Sequence, residues 1–211
     1  FAEQFLTKEA FQKYQEAKAL VEDSHWDDAS KELVTIDPKD VDNVFVLHLR
    51  VKILNASKSF DQSEVVLRNI IAYQPNDSDI ALELIEVLTE KKELAAASEL
   101  LKKFEPKNGR QVERSVILKA RILVLSNQNE QALEVLQKDH EAYLEHVEVI
   151  FELGMLYAQS DANLWPGRKT LSIFISRCKR MSAAELKAQN LEGKLIRAQA
   201  QLDLIDKKLG V

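Results

Sequence analysis

The sequence contains very little cysteine, proline or glycine. Its 211 residues include one cysteine, Cys178, four prolines and five glycines. A single cysteine excludes a disulfide within the chain and is typical of, without proving, a reducing compartment. So few prolines and glycines favour helices joined by short turns over an all-β fold.

Long apolar runs and blocks of positive charge are also missing. No apolar run approaches the roughly 18 residues that signal a transmembrane helix, so we expect no direct membrane insertion. The net charge is −5, and no block rich in lysine and arginine stands out. This argues against a nucleic-acid partner, because phosphate binding requires clustered basic residues. A local basic groove is compatible with the same charge.

The first five residues, FAEQF, include neither an initiator methionine nor the pattern of a signal peptide. We therefore expect an excised fragment or a processed chain, whose parent can carry an anchor or another domain. The sequence does not determine the compartment. A cytoplasmic location is favoured, and a periplasmic or membrane-anchored parent chain is the alternative.

Large apolar residues recur at a fixed interval, since Trp26, Phe60 and Leu94 stand 34 positions apart. A small residue follows each of them by three positions, leucines lie at constant offsets, and a fourth copy comes 35 residues later. The small residues are Ala29, Ser63, Ala97 and Ala132; the leucines are Leu20, Leu54, Leu88 and Leu123 before them, and Leu33, Leu67, Leu101 and Leu136 after them. A period of this length predicts stacked helical units, with the small residue where two helices cross.

Local signals place the helices of these units. Residues 8–22 have apolar side chains at three- and four-residue steps, after Thr7 as a candidate N-cap. Ser24 is predicted to open the second helix. Ser59 and Gln62 have the pattern of a capping box for the second helix of the second unit. Four pairs of helices are placed in this way, and a fifth pair follows them.

The pattern resembles the tetratricopeptide repeat, a unit of two antiparallel helices. The residues that carry the resemblance are SFDQSEVVLRNIIAYQPND at 59–77 and the segment LGMLY at 153–157. The resemblance implies an all-α, right-handed superhelical solenoid of helical hairpins. It implies a single domain over 1–211, with four to five repeats over 8–180 and a long C-terminal capping helix over 182–209.

The fifth unit departs from the repeat. Extra residues around Asp161–Arg168 are predicted before its second helix resumes near Thr170. Glycine stands at the first-helix crossing only in this unit, as Gly154. The other units have Ala17, Val51, Ile85 and Ala120 there. Bulkier residues at this crossing leave the curvature of the array open.

The C-terminal segment has its own pattern. After a capping box at Ser182 and Glu185, apolar residues alternate in four- and three-residue steps as far as Leu209, which predicts one long helix with a narrow apolar seam. Such a helix is expected to cover the last apolar face of the array. The alternative is a coiled-coil or dimer seam. Gly193, which weakens an exposed helix by about 1 kcal/mol, favours the cap.

Residues that carry chemistry in other proteins form no recognisable site here. His140 and His146 are six positions apart, so their rings would face away from each other on a helix, and the segment is interpreted as a charged surface. Cys178 has basic neighbours but no histidine nearby in sequence, and is interpreted as a half-buried structural residue. We predict no catalytic, cofactor-binding or metal-binding residues, and therefore no enzyme.

The resemblance implies that the first helix of each pair lines a concave groove, where helical arrays bind partner segments. Positions about 100° from the core stripe of these helices are predicted to face the groove. The predicted partner-binding residues are Phe45, His48, Lys52, Asp79, Glu83, Glu86, Arg114, Arg121, Phe151 and Met155. Phe45, Phe151 and Met155 are expected to be exposed beside charges, as suits an amphipathic helix or an extended segment. The alternative is that these residues only pack against the next repeat.

Together these patterns predict a protein–protein interaction scaffold or adaptor that binds another protein or a peptide segment in its groove. The family's clamp for a C-terminal carboxylate is not expected, because Leu49, Asp79 and Glu83 stand where it has amide and basic residues. The first alternative is a structural subunit that forms a homo-oligomer or a larger assembly through residues 182–209. The second is an RNA-binding helical repeat, against which the acidic third unit and the net charge argue.

Overall fold

A computed structural model describes residues 6–36 and 43–211. Within these two ranges the chain is all-α, with twelve α-helices, a short 3-10 helix and no strand. The helices are α1 (Lys8–Glu22), α2 (Trp26–Val34), α3 (Val44–Ala56), α4 (Phe60–Tyr73), α5 (Ser78–Glu90), α6 (Leu94–Lys103), α7 (Gly109–Leu125), α8 (Asn129–Ala142), α9 (Val147–Tyr157), the 3-10 helix Asp161–Asn163, α10 (Leu164–Cys178), α11 (Ala183–Ala188) and α12 (Glu192–Leu209).

The chain forms two compact units, Phe1–Glu105 and Pro106–Val211. In the first unit each helix packs against the next along the chain, and α1 also contacts α3. In the second unit α9 contacts α7 and α8, α10 packs on α9, and α12 packs on α10 and α9. This order of contacts is that of successive helical hairpins. The expected single domain stays a prediction.

The turn inside each of the first four hairpins has the same backbone geometry. Its left-handed residue has a φ angle between 57° and 62°, and the four are Ser24, Lys58, Lys92 and Asn127. The next residue donates its N–H to a carbonyl oxygen five positions earlier, at 2.8–2.9 Å, and the acceptors are Leu20, Leu54, Leu88 and Leu123. This is the Schellman arrangement, which satisfies carbonyls at a helix end. The 34-residue period of the sequence is therefore also a period of the backbone.

The helix starts follow the sequence in part. Thr7 caps α1, because its side chain accepts a hydrogen bond from the Ala10 N–H at 3.3 Å. Ser24 does not open α2, which begins at Trp26, because Ser24 is the left-handed residue of the turn. The capping box predicted at Ser59 is also wrong. A capping box needs the N-cap N–H as a donor, and the N–H of Ser59 already donates to the Leu54 carbonyl.

Small residues lie where the two helices of each hairpin cross. Ala29, Ser63, Ala97 and Ala132 are all fully buried. In the fifth hairpin the equivalent residue is Gly167, because α10 begins at Leu164, 35 positions after the start of α8 at Asn129. The predicted extra residues are present in part: the turn between α9 and α10 is longer than that between α7 and α8 and contains the 3-10 helix Asp161–Asn163. The expected start of the second helix near Thr170 is wrong, because α10 already begins at Leu164.

The C-terminal segment is two helices and not the predicted single long helix. The capping box of Ser182 and Glu185 is present and opens α11. This helix ends after six residues, because Asn190 turns left-handed at φ 54° and the Leu191 N–H donates to the Leu186 carbonyl. The α11–α12 turn thus repeats the Schellman geometry of the hairpins. Asparagine tolerates this conformation better than most residues.

The apolar seam of α12 lies in a core. Leu191, Ala198 and Ile205 are buried in a cluster with residues of α9 and α10. Leu195, Leu202 and Leu209 pack against the same cluster. Cys178 belongs to this cluster and is fully buried. The seam that the sequence offers for a cap or for a dimer is therefore covered within the second unit.

Candidate partner-binding site

In the first unit the predicted partner-binding residues lie on α3 and α5. His48 is half-buried, and this burial lowers the pKa of its imidazole, while the carboxylates of Asp77 and Asp79 partly offset the shift. The charge of Lys52 lowers the pKa of His48 further. Lys52 and Asp79 are exposed. Side chains of α3 and of the N-terminal turn of α5 therefore act on one imidazole and belong to one surface.

Two structural features organise this surface. Asp77 is the N-cap of α5, and its carboxylate accepts from the N–H groups of Asp79 and Ile80 at 3.0 and 3.3 Å. Phe45 is only partly exposed, because its ring packs edge-on against Tyr14 of α1, with centroids 6.5 Å apart. Part of the Phe45 ring is therefore covered by α1 and is not accessible to a partner.

The remaining acidic residues lie on α5, where the structure leaves them half-buried. Glu83 and Glu86 follow Asp79 at helical spacing, and each is partly exposed. Leu49 and Leu82, which flank the predicted positions, are buried in the core. The accessible part of the face is thus mainly polar, with charges of both signs.

In the second unit the predicted residues lie on α7 and α9. The Arg121 guanidinium contacts the Glu152 carboxylate at 2.9 Å. Arg114 and Met155 are partly exposed, and Met155 packs against the core that α12 completes. The contact of Arg121 with Glu152 therefore joins α7 and α9, the first helices of two successive hairpins.

Phe151 is not exposed, contrary to the expectation from sequence. Its side chain is 1% exposed and its ring centroid lies 5.2 Å from that of Phe174. The Arg197 guanidinium lies 5.3 Å from the Phe151 ring centroid, and the Lys194 ammonium contacts the Glu148 carboxylate at 2.6 Å. The prediction failed because α12 covers this face of α9. The available signal was the apolar seam predicted over residues 182–209, which needs an apolar partner.

A buried polar cluster joins α7, α8 and α9. His146 is buried and its Nδ1 lies 2.8 Å from the Asp139 carboxylate, with its ring stacked on Tyr143. The interpretation of this histidine as charged surface is wrong, because its position before α9 turns it inward. Glu113 of α7 accepts from the Glu148 N–H at 2.9 Å and so caps α9 from a neighbouring helix. Burial raises the pKa of the Glu113 carboxyl.

The structure describes no arrangement of reactive groups around these residues. Burial raises the pKa of the Cys178 thiol, so the thiol stays protonated and unreactive near neutral pH. Within residues 6–36 and 43–211, no group of three or more histidine, cysteine or acidic side chains is placed to bind a metal ion. In the same ranges no helix combines the length and the apolar character needed to cross a bilayer.

The fold is similar to a solved structure, the crystal structure of PilW, described as a widely conserved type IV pilus biogenesis factor. The TM-score is 0.66 at 16% sequence identity, and the match covers 94% of each chain. At this identity the similarity concerns the fold alone, an all-α arrangement of helical repeats. No family model matches the chain, and no curated protein matches it.

Proposed function

We propose that this chain is a tetratricopeptide-like adaptor that binds a segment of another protein on the first-helix faces of its hairpins. The proposal rests on the exposed side of α3 and α5 that contains Phe45, His48, Lys52 and Asp79, called the α3–α5 face below. There Lys52 and Asp79 are exposed, and the charges of both act on a half-buried His48. Charges of both signs beside a partly exposed aromatic ring, Phe45, suit a polar segment with an apolar anchor. The similarity of the fold to a type IV pilus biogenesis factor agrees with this proposal.

The proposal concerns the first-helix face of each unit by itself and keeps nine of the ten residues predicted from sequence. Phe151 is removed from it, because it is a core residue. The nine are Phe45, His48, Lys52, Asp79, Glu83 and Glu86 in the first unit, and Arg114, Arg121 and Met155 in the second. The proposal gives the first unit greater weight, because Lys52 and Asp79 are exposed there, whereas Arg114 and Met155 of the second unit are only partly exposed.

The structural-subunit alternative has less support. Self-association through the seam of α12 would require this helix to leave α9 and α10, since Leu191, Ala198 and Ile205 are buried there. The apolar residues left outside, Ile196 at 72% and Leu204 at 56% exposure, are a small patch compared with the area of a stable interface. The proposed chemistry needs no cofactor, and we propose no enzyme activity.

Site-specific photo-crosslinking tests the adaptor proposal. A photoreactive amino acid is placed at Lys52 on α3 or at Glu90, which follows Glu86 by one helical turn on α5. The matched control carries it at Lys103, an exposed residue of α6. We expect crosslinks from the two α3–α5 positions to one segment of another protein, identified by mass spectrometry. In the chain with the photoreactive amino acid at Glu90, Lys52→Glu is expected to reduce capture about tenfold, and Lys103→Glu is not.

The contrary outcome is equally specific. If Lys103 captures the same partner as efficiently as Lys52, the partner does not bind the α3–α5 face. If neither position captures a protein while the chain turns over a small molecule, the adaptor proposal is wrong altogether.

A further inference from the structure

Positive charge is concentrated in one segment of this acidic chain. From Ala162 to Ala184 there is no aspartate or glutamate, while the chain as a whole has a net charge of −5. Five basic residues occur in this segment, namely Arg168, Lys169, Arg177, Lys179 and Arg180. The segment contains the whole of α10, so the charge is carried by a single helix and the turn after it.

Most of these basic residues share one face of α10, opposite the side that packs in the core. This face, called the α10 face below, encloses a depression of about 540 Å³. Its residues are Trp165, Arg168, Lys169, Ser172, Ile173, Ser176, Arg177 and Arg180. Trp165 lies at one end of the depression, and 59% of this large aromatic residue is exposed to water.

Two of the basic residues on this face are held by the protein itself. Arg168 contacts the Asp206 carboxylate of α12 at 2.6 Å, and its guanidinium lies 5.9 Å from the Trp165 ring centroid. Arg177 donates to the Leu144 carbonyl oxygen. These contacts hold the side chains of Arg168 and Arg177 in place on the α10 face.

Lys169 and Arg180 have no acidic partner within the part of the chain that the structure describes. They stand eleven positions apart, or roughly 16 Å along a helix axis. On an extended segment this distance corresponds to carboxylates about five residues apart. Between them lie Ile173 and the hydroxyls of Ser172 and Ser176, with Trp165 at the edge.

We propose that the α10 face is a second docking surface, which binds an extended acidic segment of another protein. Carboxylates about five residues apart pair with Lys169 and Arg180, and an apolar side chain between them covers Trp165 and Ile173. Charge complementarity with two cations that have no partner identifies the occupant as acidic. Burial of an exposed tryptophan supplies an anchor of the type that dominates protein interfaces.

The same observations disfavour the other anionic partners. A bilayer surface would meet only Trp165 and the partly buried Ile173, and α10 cannot insert further, because its other face is buried in the core. A nucleic acid requires several cations along a track of phosphates, and on this face only Lys169 and Arg180 remain available, with Lys179 next to Arg180 after the end of α10. An acidic peptide needs no more than these two charges and the depression between them.

The test uses the full chain and a defined probe, a fluorescein-labelled peptide with an apolar centre between two pairs of glutamates placed five residues apart. Fluorescence anisotropy measures its affinity for the wild-type chain and for Lys169→Glu with Arg180→Glu. The matched control reverses Lys138 and Lys187, which are exposed on α8 and α11. We expect the first pair to weaken binding about tenfold or more, and the control pair less than about twofold. Trp165→Ala is expected to weaken binding as well, with Trp165→Phe restoring part of it.

Three results would overturn the proposal. The first is absent binding of the peptide, or equal weakening by both charge-reversal pairs. The second is tighter binding to phosphatidylglycerol vesicles than to the peptide, abolished by the Lys169 and Arg180 changes. The third is the same result with labelled single-stranded RNA. Thermal melts of each variant check that the helical fold is retained. We expect it to be retained, because none of the substituted basic residues has a described acidic partner.

Discussion

Lys92 adopts a left-handed backbone conformation, at φ 62°, in the turn between α5 and α6. A side chain with a Cβ pays about 1–2 kcal/mol for this conformation, whereas glycine does not. The turn is nevertheless kept, because the Glu93 N–H then reaches the Leu88 carbonyl. Equivalent strain at Ser24, Lys58 and Asn127 shows that hydrogen bonding at the helix end outweighs local preference.

Replacing this residue by glycine is expected to stabilise the protein. Lys92→Gly removes the strain but increases the freedom of the unfolded chain, so we expect a net gain of about 0.5–1 kcal/mol. Urea denaturation monitored by circular dichroism measures it. Lys119→Gly, at an exposed position in the interior of α7, is the matched control and should cost about 1 kcal/mol. A loss of stability in Lys92→Gly would mean that the side chain makes a contact that outweighs the strain.

His140 makes stability depend on pH. Burial lowers the pKa of its imidazole, and the neighbouring Arg177 lowers it further. Its Nδ1 is buried without a hydrogen-bond partner among the described residues. Because the folded-state pKa lies below the unfolded value of about 6.5, the unfolded chain takes up the proton first. Stability is therefore expected to fall as the pH drops below about 6.5.

His140→Phe removes this proton while keeping a planar ring. We expect a smaller loss of unfolding free energy between neutral and mildly acidic pH than in the wild type, measured by urea titrations at several pH values. His25→Phe, at the exposed N-cap of α2, is the control for removing a histidine. If the two variants have the same pH dependence, His140 does not contribute in the proposed way. His48, whose pKa is also lowered by burial, is expected to keep part of the slope in both.

At the scale of elements, the crossing of α9 and α10 is set by a glycine on each helix. A Cβ on Gly154 would lie 2.7 Å from a side-chain carbon of Leu171. A Cβ on Gly167 would lie 3.2 Å from the Tyr157 Cβ and 3.3 Å from the Ala158 backbone nitrogen. Both helices therefore have glycine at the crossing, whereas each of the other four hairpins has residues with a Cβ at both crossing positions.

Gly154→Ala is expected to destabilise the protein by about 1–3 kcal/mol, because Leu171 must move to admit the new methyl group. Thermal and urea denaturation measure the loss. The control is Gly193→Ala in α12, where nothing lies within 4 Å of the added Cβ and a gain of about 1 kcal/mol is expected. In a Leu171→Ala background the cost of Gly154→Ala should decrease, as residues in contact are coupled. An undiminished cost would place the clash elsewhere.

At the scale of the whole molecule, α12 decides what the C-terminal end presents to other molecules. Its apolar seam is buried on α10 and α9, and three ion pairs hold it there: Lys194 with Glu148, Asp206 with Arg168, and Lys208 with Asp161. The seam therefore contributes to the core of the second unit and leaves only a small apolar patch outside.

We expect the chain to be a monomer over a wide range of concentrations, measured by size-exclusion chromatography with light scattering. The variant Ile196→Glu with Leu204→Glu, which changes only the exposed residues of α12, should have the same mass. A wild-type dimer that this variant dissociates would contradict the expectation and restore the structural-subunit alternative.

Much of the fold follows from local sequence. The period of Trp26, Phe60 and Leu94 predicts where the helices pair, because each hairpin needs only its own apolar stripe, its small crossing residue and its turn. The Schellman turns recur at the predicted interval for the same reason. On α3 and α5 this period predicted the exposed side only in part, since Lys52 and Asp79 are exposed, whereas Leu49 and Leu82, which the same spacing places toward the groove, are buried.

Tertiary structure decided the features that depend on which helix packs where. Phe151 is buried because α12 covers it, whereas Lys169 and Arg180 at the other side of α10 are exposed. The start of α10 at Leu164 and the break at Asn190 are backbone outcomes that apolar spacing does not specify. Sequence thus determined the repeating hairpin, whose contacts lie within one period. Contacts such as that of α12 with α9, which join residues far apart in the chain, were decided only by the tertiary structure.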